Sequence, residues 1–205
     1  MLSAEGGRGS QGRRGRRWNT PDNPVCSWRG GPILASPARK LLNHPTRILH
    51  PYLSPGMTAA DVGCGMGFFT IPMSGMVGEQ GKVIAFDLQP EMLEGLRKNM
   101  QQAGATNIAP HLCSPTSLQA ETWNGGIDFA LVFWMLHEVP NAEHLIKEIQ
   151  ALLAPGGTLL FAEPIMHVSK EKFQQSVKMI EHTGFTVTDR PDIAISRAAA
   201  FKKQG

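Results

Sequence analysis

The run Asp61-Val62-Gly63-Cys64-Gly65-Met66-Gly67 has the spacing Asp-x-Gly-x-Gly-x-Gly and falls where an apolar strand ends and a helix begins. Glycines let a chain turn sharply and let a ligand approach backbone that a Cβ would shield, and the first turn of the following helix offers unpaired N–H groups. Twenty residues beyond Gly67, the apolar segment Val83-Ile84-Ala85-Phe86 ends in Asp87, where a carboxylate can grip two ribose hydroxyls. Gly63, Cys64, Gly65, Gly67, Phe68 and Asp87 are therefore read as one nucleoside site. The dinucleotide fingerprint Gly-x-Gly-x-x-Gly is absent: counted from Gly63 its last position is Phe68, and from Gly65 it is Thr70. The charge of Asp61, just ahead of the glycines, repels a phosphate and suits a cationic ligand.

Such a site needs a parallel sheet with crossover helices, and the chain after Gly56 has that pattern. Strands are predicted at 58–62, 82–86, 108–112, 127–132 and 158–162, with helices at 68–77, 90–104, 142–153 and 170–182 and a closing pair of strands at 185–188 and 193–201. Pro155-Gly156-Gly157 is read as the turn into the fifth strand, and Gly184 as the cap of the last helix. Residues 25–55, rich in proline but carrying Trp28, Ile33, Leu34, Leu49 and Leu53, read as an N-terminal cap segment with one helix near 38–42. Residues 1–24 read as a disordered basic tail, too poor in apolar groups to offset the entropy of ordering.

Composition narrows the class. The 205 residues, 41% hydrophobic and 18% charged, suit one globular domain, expected at 56–205. Five arginines against Glu5 give residues 1–17 a side-chain charge of +4, so the rest carries −1 of the formal +3. Basicity confined to a tail disfavours nucleic acid as partner. No apolar run spans a bilayer and no secretory h-region is visible, so membrane association is not expected. Three scattered cysteines, Cys26, Cys64 and Cys113, fit free thiols in a reducing, cytoplasmic setting. The histidines lack the spacing of a zinc site, and no metal is expected. The three cysteines converging on a soft metalloid is a lesser alternative.

With these motifs in order, the chain from Gly56 onward resembles the class I S-adenosylmethionine-dependent methyltransferases, in the small-molecule branch similar to the quinone-biosynthesis enzymes. The segment Asp128-Phe129-Ala130-Leu131-Val132-Phe133-Trp134-Met135-Leu136-His137 is similar to the family's fourth strand and closing loop, and Leu153-Ala154-Pro155-Gly156-Gly157 to its turn into strand five. The resemblance implies an α/β, Rossmann-like three-layer sandwich with a mostly parallel seven-stranded sheet, and S-adenosyl-L-methionine as cofactor. It implies Asp61 near the cationic end, Asp87 on the ribose, Leu88 beside the adenine, and Phe133 against the cofactor. Where the family places an adenine-binding Asp, this sequence has Cys113-Ser114, which makes Ser114 a neutral and weaker acceptor.

The implied reaction is an in-line displacement at an activated methyl group, so the protein mainly aligns donor and acceptor. An acceptor that must lose a proton needs a base, and His137, Glu138 and His167 lie in the loops after strands four and five. Glu163 is assigned to orienting a loop. A small-molecule methyl acceptor is expected; the alternatives are an RNA or protein methyltransferase and a non-catalytic cofactor-binding module. The oligomeric state is left open.

Overall fold

The computed structural model describes residues 44–205. The basic tail, the helix expected at 38–42, Cys26 and Trp28 all lie outside the described residues. The described chain begins with α1 (Pro45–Leu49), started by a proline whose missing N–H costs nothing at a helix N-terminus. This helix was not expected. Its five residues are too short for a helical period to show, and it is held by burying Leu49 and Leu53 beside the next helix.

From there strands and helices alternate. β1 (Thr58–Val62) leads to α2 (Thr70–Val77), β2 (Lys82–Asp87) to α3 (Pro90–Ala103), and then comes β3 (Ile108–Leu112). β4 (Ile127–Phe133), α4 (Ala142–Leu152), β5 (Leu153–Pro164), α5 (Lys170–His182), β6 (Phe185–Asp189) and β7 (Ser196–Lys203) complete the chain. Gly104 ends α3 in the left-handed conformation, at φ 65°. α5 stops at the C-cap Thr183, with Gly184 just beyond it at φ 94°.

One seven-stranded sheet results, in the order β3-β2-β1-β4-β5-β7-β6. The sheet is mixed: β7 is antiparallel to both β5 and β6, while the pairs from β3 to β5 are parallel. Residues 190–195 are too few for a crossover helix, so β6 and β7 close as a hairpin. Helices cover both faces. α1, α2 and α3 pack with Ala59, Val83, Ala85, Phe129 and Leu131, while α4 and α5 bury Ile146, Ile149, Phe173 and Val177 against Ile84, Val132 and Phe161. Strands buried on both sides explain the near-continuous apolar runs of β2 and β4.

β5 begins earlier than expected. Ile127 pairs with Leu153 and Phe129 with Thr158, so the Pro155-Gly156-Gly157 segment is a bulge within the strand rather than a turn before it. Gly156 has φ 71°, and a Cβ on Gly157 would lie 2.9 Å from the Ala154 oxygen. The order of strands reverses between β1 and β4, and ligands of such sheets bind beyond the carboxyl ends at that switch point.

Candidate active site

The turn after β1 is fixed by its neighbour. The Gly63 and Cys64 N–H groups both donate to the Phe86 oxygen, each at 2.9 Å, tying the end of β1 to β2. Gly63 has φ 77°, and a Cβ there would sit 2.9 Å from Met135 Cγ. Only glycine lets Met135 pack this closely against the turn. Gly65 donates its N–H to Asp87 Oδ2 at 2.9 Å, and Gln89 donates to Oδ1 at 2.9 Å. Gly67 does a different job: a Cβ on it would lie 2.6 Å from Leu96 Cδ1, so it lets α2 and α3 approach, and it is not part of the cavity wall.

Asp87 is 9% exposed, and burial pushes its carboxyl above the usual range against the N–H groups that hold the charged form. Asp61 is buried and accepts from the Thr70 hydroxyl at 2.6 Å, a contact between the motif and the helix after it that spacing alone did not reveal. Burial also pushes the Cys64 thiol up, and that of Cys113 to about 12, so both are neutral near pH 7.

Beyond β3 the chain folds back on itself. Cys113 donates its N–H to the Asp87 main-chain oxygen at 2.9 Å, which sets this loop beside the end of β2. The Ser114 hydroxyl donates to the Ser117 oxygen at 3.1 Å and accepts from the N–H groups of Thr116 and Ser117. The side chain expected to meet an adenine is thus bonded within its own turn.

On the other side of β1, the end of β4 carries an aromatic chain. Phe68, Phe69, Phe133 and Trp134 make successive ring contacts at 5.0, 4.5 and 5.3 Å. Trp134 has φ 61°, a strained conformation costing about 1–3 kcal/mol for a non-glycine residue. It is held by its N–H on the Ala162 oxygen at 2.8 Å and its Nε1–H on Ser196 Oγ at 2.9 Å.

His137 follows in a short 3₁₀ turn, Leu136–Glu138. Its backbone N–H donates to Glu163 Oε1 at 2.9 Å, and its Nδ1 lies 2.7 Å from Oε2. A carboxylate offers only lone pairs, so Nδ1 carries the proton and Nε2 is left as the accepting nitrogen. Glu163 is 2% exposed at the end of β5, which is the orienting role expected for it. Its hydrogen bond raises the His137 pKa above 6.5 despite the opposing effect of burial. Glu138 Oε1 is 3.9 Å from Nε2, and the His167 ring stands edge-on to His137 at 5.7 Å.

These groups share one cavity of about 620 Å3, within the range that holds a small ligand. It gathers Asp61, Gly63, Cys64, Gly65, Phe68, Asp87, Leu88, Cys113, Ser114, Phe133, His137, Glu138 and His167, every expected site residue except Gly67. Sequence reasoning missed Met166, Ile195, His144 and Glu148, which also line it. Those on helix α4 and the rim belong to no local motif, and only the three-dimensional crossover brings them in. Among the described residues no cluster of His, Cys, Asp or Glu could hold a metal ion, and no helix is long and apolar enough to cross a membrane.

A sheet of this order, with a glycine turn after β1 and a buried acid ending β2, is the architecture of the class I S-adenosylmethionine-dependent methyltransferases. Residues 53–198 match the profile described as a methyltransferase domain, and the chain belongs to that family. Among curated relatives, the demethylmenaquinone methyltransferase of Bacillus cereus (strain B4264) is 29% identical over 111 residues, covering 54% of this chain and 46% of that protein. The chain thus matches about half the length of such relatives. A solved S-adenosylmethionine-dependent methyltransferase from Aquifex aeolicus has a TM-score of 0.78 at 23% identity, covering 87% of this chain and 98% of that one. The Methanococcus jannaschii fibrillarin pre-rRNA processing protein shares the fold at a TM-score of 0.62 and 19% identity, over 74% of this chain and 68% of that one.

Proposed function

We propose that the chain transfers a methyl group from S-adenosylmethionine to a small, largely apolar acceptor that must lose a proton, with His137 as the base. The observation that carries this reading is the His137–Glu163 pair opening into the same cavity as Asp87 and the glycine turn. The residues fit the cofactor. Gly65, at φ 53°, leaves open space where a Cβ would stand, Asp87 presents a buried carboxylate to two hydroxyls, and Asp61 places negative charge toward a cationic end. Leu88 and Cys113 border the base, and Phe133 the sulfonium side.

When bound, the sulfonium supplies a methyl group that is already activated, so no acid is needed for the leaving group. The chain has three tasks left. Its glycine turn and Asp87 hold the donor, and its aromatic chain and apolar rim position the acceptor. His137 Nε2 takes the acceptor proton while Glu163 holds the ring and stabilises the imidazolium. Phe133, Trp134, Met166 and Ile195 support an apolar acceptor, as does the likeness over half its length to an enzyme named for demethylmenaquinone. In this reading the loops after β4 and β5 complete the acceptor pocket.

The test is to incubate the full chain with methyl-labelled S-adenosylmethionine and a metabolite extract, with and without cellular RNA and protein. Label in the small-molecule fraction is expected. Label confined to RNA or protein would replace this reading with a macromolecular one, and bound but untransferred cofactor would indicate a binding module.

A further inference from the structure

The sheet order decides which end of the cavity holds the adenine. With Asp87 of β2 on the ribose and the glycine turn of β1 and the His137 loop of β4 toward the methyl end, the base points to the β3 side. There the backbone from Cys113 to Ser117 has no N–H left for the accepting ring nitrogens of the base. Cys113 N–H goes to the Asp87 oxygen, Ser114 N–H to the Ser117 oxygen, Thr116 and Ser117 N–H to Ser114 Oγ, and Pro115 has none. Ser114 Oγ accepts twice and gives its proton to the Ser117 oxygen, so it offers the base nothing further.

A carboxylate nevertheless reaches this wall from another element. Glu148, the seventh residue of α4, accepts from Leu118 N–H at 3.2 and 3.1 Å through Oε1 and Oε2, and from the Ser117 hydroxyl through Oε1. Its side chain is 21% exposed and lines the cavity, and the His144 Nε2, 3.9 Å from Oε2, lines it one helical turn earlier. Oε2 accepts a single N–H, so it retains a lone pair.

We propose that Glu148 reads the adenine, accepting a hydrogen bond from the exocyclic amino group on Oε2 while it anchors the 113–118 loop that walls the base. Specificity for the nucleobase is then supplied from the helix after β4 rather than from the strand-three loop. This inference rests on S-adenosylmethionine being the ligand of the cavity.

The test measures calorimetric affinity of the full chain for S-adenosylhomocysteine and for S-inosylhomocysteine, in which the amino group is replaced by an oxygen. The wild type is expected to prefer the adenosyl ligand by roughly 10- to 100-fold, the range for a hydrogen bond to a charged group. Glu148→Gln keeps an oxygen for Leu118 N–H but turns an amide N–H2 toward the base. It should lose the preference or reverse it in favour of the inosyl ligand, whose oxygen accepts. Glu148→Asp keeps the charge, withdraws it by one methylene and should lose the preference without reversal. Melting temperatures of both variants report whether the loop and α4 still fold.

Equal weakening of both ligands by Glu148→Gln would overturn the proposal, since that is what loop anchoring alone predicts. An unchanged preference in both variants would overturn it as well. Failure of the wild type to bind either ligand would overturn instead the cofactor reading beneath it, and is distinguishable because it needs no variant.

Discussion

The two halves of the cavity are built by different means. On the β1–β2 side, the wall is made of backbone: N–H groups of Gly63, Cys64 and Gly65 lock onto the Phe86 oxygen and Asp87, all within 25 residues of chain. On the β4–β5–β7 side it is made of side chains from different strands and loops, His137 with Glu163 and Trp134 with Ser196. The first half tolerates few residue types at each position because φ and close approach dictate them. The second is constrained only pairwise, which leaves the acceptor free to differ between proteins of the same fold. The difference makes a prediction: damage to the second half should reach turnover before cofactor binding, and damage to the first half should reach binding.

The largest expected effect is that of His137→Ala. If His137 is the base, kcat falls by about 10² to 10⁴ while the cofactor Kd changes little. Pre-steady-state methyl transfer with calorimetry on the same sample decides it. A parallel loss in both would mean that the two halves are not separable and that His137 only holds the loop. Next comes Asp87→Ala, which removes the carboxylate proposed to hold the ribose and also frees the Gly65 and Gln89 N–H groups. The cofactor Kd is expected to rise roughly 10- to 150-fold, corresponding to about 1.5–3 kcal/mol. Unchanged affinity would displace the ribose site from β2.

The same division explains what the sequence revealed. Asp61, the glycines and Asp87 could be read from spacing, because a sharp turn and a strand-end acid impose fixed intervals. Strand and helix positions followed from apolar runs and periods, and most bounds agree within a few residues. The bulge in β5 escaped notice because a Pro-Gly-Gly segment reads equally as a turn, and pairing of Ile127 with Leu153 is visible only across the sheet. Ser114 was placed correctly along the chain, yet its hydroxyl is engaged by Thr116 and Ser117, a local turn that the alignment of motifs does not reveal. Glu148 lies 30 residues from Leu118 in sequence and no motif joins them.

The Glu163→Gln substitution sharpens the comparison through pH. Glu163 raises the His137 pKa, so the protonated pair adds stability that is fully present below the ordinary value of 6.5 and is lost as pH rises through the folded pKa. Activity runs the other way, because a base must be neutral: turnover should climb through that same raised pKa. Removing the carboxylate leaves burial, which lowers the pKa, so both inflections should move to lower pH. A kcat–pH profile alongside a melting-temperature–pH profile measures the two shifts. If the activity inflection stays in place while the stability inflection moves, another group titrates in turnover, and Glu138 or His167 becomes the candidate.

The smallest expected effect is that of Ser196→Ala, which tests whether the acceptor wall depends on its link to β7. Ser196 Oγ accepts the Trp134 Nε1–H at 2.9 Å, and Trp134 sits at φ 61° only because its surroundings hold it there. Losing the hydroxyl leaves the indole N–H half-buried without that partner, at a cost of about 1 kcal/mol, while the N–H bond to the Ala162 oxygen and the contact with Phe133 remain. The ring should therefore stay over the cavity with more freedom. A rise in acceptor KM of a few-fold, an almost unchanged kcat and an unaltered cofactor Kd are expected, since looser positioning removes binding that ground state and transition state share. A fall in kcat comparable to that of His137→Ala would instead show that the strained backbone at Trp134 sets the direction of the His137 loop. In that case the wall and the base would act as one unit, and the pairwise account of this half would fail.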